Sequence, residues 1–168
     1  RRLGSRVTIV QRSDQLIPRE DNDVAEAMTT ILREDGIDVL FDTTTQHAAS
    51  TPAGGVVLTV RDAQGERQLE GSHLLVATGR TPNTERLNLT ATGVARDDKG
   101  YILVDERLAT NVEGIYALGD VKGGPAFTHI SYDDYRIVRD NLLRDGRRFT
   151  TDRPVPYTIF TDPELGRV

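Results

Sequence analysis

Apolar positions along this chain fall into short runs with two alternating periods, and the alternation sketches a mixed fold. Residues 6–11, RVTIVQ, are β-branched and apolar enough for a buried strand. The polar stretch that follows, RSDQLIPRED, contains a proline. It reads as a loop reaching a helix start near residues 21–23, where carboxylates suit the positive end of a helix. Val24, Ala27, Met28, Ile31 and Leu32 then recur at helical spacing, and Gly36 supplies the stop. IDVLFD follows as a second strand. Residues 55–80 read as a strand, a tight turn near Gln64 and Gly65, and a second strand, with Val56, Leu58 and Val60 on one face. A third, buried strand is expected at residues 74–77, ending in TGR. Beyond a polar stretch come YILV and then TNVEGIYALGD. FTHISYDDYRIVRDNLLRDG is expected to form a helix that packs Ile130, Ile137, Val138 and Leu142 and ends at Gly146. VPYTIF starts a last strand.

That order is α/β with an antiparallel insertion, and its first strand–helix–strand run fits half of a doubly wound nucleotide-binding unit. The chain has 168 residues, of which 37% are hydrophobic and 28% charged, as in ordinary globular domains. A formal net charge of -5 argues against a nucleic-acid partner, which needs a clustered basic surface. No apolar run approaches the length of a bilayer span, and no signal-peptide pattern opens the chain. The absence of cysteine excludes a thiol nucleophile, a disulfide and a Cys-ligated metal within this stretch. The chain opens without Met and closes on what reads as a strand and turn, so it is expected to be a piece of a longer protein.

Two segments carry the candidate chemistry. In GIYALGD a strand would end in Gly119, letting the backbone come close to a ligand, and Asp120 would accept hydrogen bonds from ligand hydroxyls at the sheet's carboxyl edge. A helix begins soon after, so its free N–H groups could meet a carbonyl or an anion. The plainer alternative is a strand end and a helix cap. In LLVATGRTPN, Thr78 and Gly79 could bring backbone against a nucleotide, and Pro82 forces an extended exit. Its plainer alternative is a simple strand-to-loop exit. His47 reads as part of a polar loop, His73 as the start of a strand, and His129 as a neighbour of Thr128. No two of them have metal-site spacing. The pairs Asp97–Asp98 and Asp133–Asp134 read as solvated acids on a turn and a helix, and Tyr132 and Tyr135 as packing residues.

Taken together, LLVATGRTPN and ATNVEGIYALGDV resemble the paired signature of the FAD-dependent pyridine nucleotide-disulfide oxidoreductases, class I. IPRED and FTHISYDDYRIVRDNLL are similar to the mercuric reductase and dihydrolipoamide dehydrogenase side of that family, nearest its reactive-chlorine-resistance flavoenzymes, which reduce copper. The resemblance implies partial Rossmann-like FAD/NAD(P)-binding domains of three-layer β/β/α character. Residues 1–83 would complete the NAD(P)-binding domain, 84–152 would return to the FAD-binding domain, and 153–168 would begin a dimerisation domain.

The resemblance also implies roles. Asp120 would bind the ribityl hydroxyls of FAD, with Gly119 giving clearance. Phe127 and Thr128, the latter eight positions beyond Asp120 at a helix N-terminus, would face the flavin pyrimidine. NAD-using relatives carry an acid after the first strand, but here Gln11 and Arg12 stand there, and a guanidinium can bind a 2′-phosphate. Arg19 is a second phosphate candidate, one residue farther from Arg12 than in the family pattern. NADP is therefore the expected nucleotide, with NAD the alternative. The implied whole is a cytoplasmic homodimer that passes electrons from NAD(P)H through FAD to a small-molecule disulfide or metal-ion acceptor. The resemblance places no catalytic residue within these 168 positions, and the piece alone is not expected to turn over or to hold FAD tightly. The rivals are an NADH oxidase, NADH peroxidase or ferredoxin-reductase relative, and a nucleotide-binding module without a reaction.

Overall fold

A computed structural model describes residues 1–144 and 146–168. The chain divides into two compact units, Arg1–Ala77 and Thr78–Val168.

The first unit opens with strand β1 (Thr8–Val10), helix α1 (Asn22–Glu34) and strand β2 (Asp38–Leu40). β1 and β2 pair in parallel, Ile9 opposite Val39, with α1 as the crossover. The helix buries Ala25, Met28 and Thr29, and the Thr29 hydroxyl is satisfied by donating to the Ala25 carbonyl at 2.7 Å. Ala27, expected on the packed face, is exposed. The stripe is centred one position away, and a methyl group is too small to pull it round. The stop occurs as the sequence implies. Gly36 takes φ +76°, its N–H donates to Arg33, and Ile37 N–H donates to Leu32, so both bonds of a left-handed helix end are made.

An antiparallel sheet follows, in the order β3 (Thr44–Ser50), β4 (Val56–Asp62), β5 (Gly65–Gly71). The expected turn is present, with Asp62 opposite Gly65. Val60 is fully buried, whereas Val56 and Leu58 on the same face are half-buried. β3 corrects the reading of His47 as part of a polar loop. His47 lies on a strand whose every residue is exposed, so no alternation of apolar and polar positions could betray it. The expected strand at residues 74–77 is corrected the other way. It lies outside every described ladder, with Leu75 89% and Val76 70% exposed. An apolar run becomes a buried strand only when a neighbour pairs its backbone and covers its faces, and no described strand does so here.

The second unit is centred on Val94, Ile102 and Ala117, with Leu89, Val104, Val112, Ile115 and Val121 packed around them. Its apolar runs are extended but form only single bridges, Arg96 with Ile102 and Ala109 with Tyr116. GIYAL is therefore not the strand expected to end at Gly119. Ile102 N–H donates to Val121, Ala117 N–H to Leu108, and Thr110 N–H to Ile115, so loops supply the pairing a sheet would have given. Asp97 organises a turn by accepting from the N–H groups of Lys99 and Tyr101. After the short helix α2 (Leu89–Thr92), the main helix α3 runs Thr128–Leu143 and buries Ile130, Asp134 and Ile137. Leu142, expected to pack, is 53% exposed. At the helix's far end the Asp140 carboxyl is held below the usual carboxylate range, chiefly by hydrogen bonds from Arg139. A lowered folded-state pKa contributes stability above the ordinary carboxylate range, and that contribution is lost as pH falls through the lowered value. Strands β6 (Tyr157–Ile159) and β7 (Leu165–Arg167) close the unit as an antiparallel pair.

Candidate functional site

In the first unit, the expected nucleotide residues lie where the chain leaves β1. Gln11 N–H donates to the Leu40 carbonyl, extending the ladder by one bond. The Gln11 side-chain amide donates to the Ser13 hydroxyl at 2.6 Å and to the Gln15 carbonyl at 2.9 Å. Both of its amide donors are thus spent on bracing the loop. Arg12, the next residue, is exposed and has no hydrogen bond or ion pair among the described residues. Arg19 is exposed farther along the same loop, which runs into the N-terminus of α1. Local sequence explains the arrangement: the chain cannot continue as strand through SDQ, so the turn after Val10 puts Arg12 outside.

In the second unit, Thr78 and Gly79 are exposed, and Gly79 takes φ +108°, a conformation that any side chain would strain. The next residue, Arg80, donates from Nη1 to Asp120 Oδ2 at 2.8 Å, joining the two signature segments directly. Both side chains are more than half exposed, so the pair contributes only ~0–1 kcal/mol. Arg80, Pro82, Asn83, Tyr101, Asp120 and Gly124 are among the residues lining an open cavity of about 500 Å3.

Gly119 begins a single 3-10 turn, Gly119–Lys122, that presents Asp120. Its φ is +74°, and a Cβ added there would lie 3.1 Å from Ser131 Oγ. Gly119→Ala is therefore expected to cost ~1–2 kcal/mol, from left-handed strain and crowding together. Urea denaturation should show this as a lowered midpoint, and an unchanged midpoint would mean the turn relaxes freely.

Phe127 and Thr128 stand at the start of α3 and help line a second cavity of about 660 Å3 in this unit. Phe127, not Thr128, is the N-cap. Thr128 is the first helical residue, and no side-chain hydrogen bond caps the helix. The Phe127 ring stacks on His129 at 5.3 Å and on Tyr157 at 5.5 Å. Tyr132 and Tyr135 are both exposed and lie ring to ring at 5.8 Å.

Two residues outside the expected site stand beside it in the structure. Arg80 stood inside TGRTPN, and only its contact with Asp120 gives it a place. Asp134 is the clearer omission. The expectation of a solvated acid on a helix face is wrong for it, because its side chain is fully buried. The signal was available: Asp134 falls between Ile130 and Ile137 at helical spacing, on the packed stripe. Asp133, by contrast, keeps some exposure and pairs with Arg148 and Arg153. Among the described residues, no cluster of His or acidic side chains could hold a metal ion. No described helix is long and apolar enough to cross a membrane.

Known proteins match this arrangement over most of its length. The pyridine nucleotide-disulphide oxidoreductase family matches residues 1–134. The probable pyridine nucleotide-disulfide oxidoreductase RclA of Escherichia coli is 43% identical over 167 residues, which is 99% of this chain and 37% of that protein. The mercuric reductase of Staphylococcus aureus is 37% identical over 166 residues, 99% of this chain and 30% of that protein. The solved Cu(II) complex of the HOCl-induced flavoprotein disulfide reductase RclA from Escherichia coli superposes with a TM-score of 0.87 at 42% identity, covering 97% of this chain and 36% of the other. This chain belongs to the pyridine nucleotide-disulphide oxidoreductase family. It spans roughly a third of the length of these relatives.

Proposed function

We propose that the full-length protein passes electrons from NADPH through FAD to a small disulfide or a metal ion. The observation that carries this reading is the Gly119–Asp120 turn held against Arg80 on the wall of an open cavity. The residues present fit a flavin there. Asp120 offers an exposed acceptor whose pair with Arg80 is solvent-screened, and glycine is demanded on either side. A Cβ at Gly123 would lie 3.3 Å from the Tyr101 ring, as one at Gly119 would crowd Ser131. When bound, FAD supplies the hydride acceptor and the electron relay. The chain's own part is to hold it: Asp120 accepts from ribityl hydroxyls, and the start of α3 at Thr128 offers free N–H groups to the flavin pyrimidine.

NADPH rather than NADH is favoured by Arg12, exposed and unpaired among the described residues, in the place where an acid would repel a 2′-phosphate. Arg19 is the second phosphate contact in this reading, and Gln11 braces the loop that presents both. A metal-ion acceptor finds support in the Cu(II) named for the RclA structure and the mercuric ion named for the Staphylococcus aureus relative. The same reading makes the whole protein a cytoplasmic homodimer. Residues 1–83 complete its NAD(P)-binding domain, 84–152 belong to its FAD-binding domain, and 153–168 begin the dimerisation domain.

The test is anaerobic reduction of the purified full-length protein. It should be yellow as isolated, bleach on adding NADPH faster than on adding NADH, and recover its colour with a disulfide or with Cu(II) or Hg(II). A colourless protein that takes up no FAD would sink the proposal. Recovery with oxygen alone would move it to the oxidases.

A further inference from the structure

We infer that Asp134 is a positioning residue that clamps both ends of the turn carrying Asp120, an inference that deepens the flavin reading and rests on it for its functional consequence. Asp134 Oδ2 accepts the Gly119 N–H at 2.9 Å, at the start of the 3-10 turn. The same oxygen lies 3.4 Å from Lys122 Nζ, at the turn's last residue. Lys122 is itself nearly buried, its side chain 8% exposed, and also reaches the Gly123 carbonyl. The other oxygen, Oδ1, lies 2.7 Å from Arg153 Nη1 and makes no directed hydrogen bond there, so Arg153 acts mainly through charge. Arg153 in turn reaches Asp133 and the Ile130 carbonyl, which holds it against α3.

This is an unfavourable way to build a core. A carboxylate buried between Ile130 and Ile137 loses its hydration, and two buried cations must be paired to compensate. An apolar side chain of similar size would fill the same space without any of this. The charged arrangement does something an apolar one cannot: one rigid carboxylate on a long helix makes a directed bond to the backbone N–H immediately before Asp120 and an ion pair at the far end of the turn. Gly123 N–H closes the turn by donating to the Asp120 carbonyl. Asp120 itself is exposed, and its ion-pair partner among the described residues, Arg80, is solvent-screened, so its orientation depends on this buried support.

The experiment uses the full-length protein with Asp134→Ala, Asp134→Asn and Lys122→Met. It reads FAD affinity well below each variant's melting temperature, and amide hydrogen exchange at Gly119 in the flavin-free protein. Asp134→Ala removes both ends of the clamp and should weaken FAD binding roughly ten- to a hundredfold. Asp134→Asn keeps an acceptor for Gly119 and should fall between Ala and the wild type. Gly119 exchange should quicken in the same order, while exchange at Ile137 in the helix stays as in the wild type. A merely structural role would lower the melting temperature and quicken exchange along α3 without this order. FAD affinity within about twofold of wild type in folded Asp134→Ala would overturn the inference, as would unchanged Gly119 exchange. If Asp134→Ala does not fold, Lys122→Met releases the turn's far end alone, and unaltered FAD affinity in that variant overturns the inference too. If the wild type takes up no FAD, the flavin reading fails by itself, and Gly119 exchange still decides whether Asp134 clamps the turn.

Discussion

Replacing Asp120 with alanine in the full-length protein is expected to weaken FAD binding by roughly ten- to a hundredfold while leaving the fold intact. The size follows from the loss of charge-assisted hydrogen bonds to ligand hydroxyls, each worth ~1.5–3 kcal/mol. The intact fold follows from the side chain's exposure and from its ion pair with Arg80, its only one among the described residues, which is too solvent-screened to stabilise much. Asp120→Asn retains one acceptor oxygen and should lose less. Arg80→Ala supplies the contrast. If Arg80 merely occupies Asp120 until a ligand arrives, its removal should change FAD affinity by no more than about threefold. Fluorescence titration of the flavin-free protein measures all three. Equal losses for Arg80→Ala and Asp120→Ala would mean that the ion pair, and not the carboxylate alone, forms the binding surface.

The second large effect is expected at the opposite sign of charge. Arg12→Glu should lower kcat/KM for NADPH by about a hundredfold, mostly through KM, and change that for NADH by only a few-fold. Arg12 is exposed and unpaired among the described residues, so the substitution breaks no described contact and carries no folding penalty that could mimic the effect. The glutamate would confront a 2′-phosphate with like charge and a 2′-hydroxyl with a good acceptor. Steady-state rates with the two nucleotides give the answer. Parallel losses for both would show that Arg12 is an ordinary solvated loop residue and that the preference lies elsewhere, with Arg19 next to be changed.

Much of this was legible beforehand because it depends on neighbours in sequence. Helix α1 shows its apolar spacing, and its end is set by Gly36, whose left-handed φ the chain needs there whatever surrounds it. The β4–β5 turn, the glycine at position 119, the acid beside it and the basic residue after β1 are equally local. A pattern of residue types at short spacing belongs to the chain itself, which is why the family could be read from two segments.

Pairing and burial are different, because they depend on what lies alongside. TTQHAAS carries no apolar pattern, yet it is a strand because β4 offers it an edge. Leu74, Leu75 and Val76 form a continuous apolar run, yet they pair with no described strand. Asp134 is the sharpest case. As a letter beside Asp133 it reads as a helix-surface acid. Folding α3 against the Gly119–Lys122 turn places it within hydrogen-bond reach of the Gly119 N–H, between two cations, Lys122 and Arg153. Periodicity and glycine placement are properties of the chain. The partner of a buried charge is a property of packing, since desolvation makes the cost of leaving it unpaired depend on atoms the local sequence does not contain.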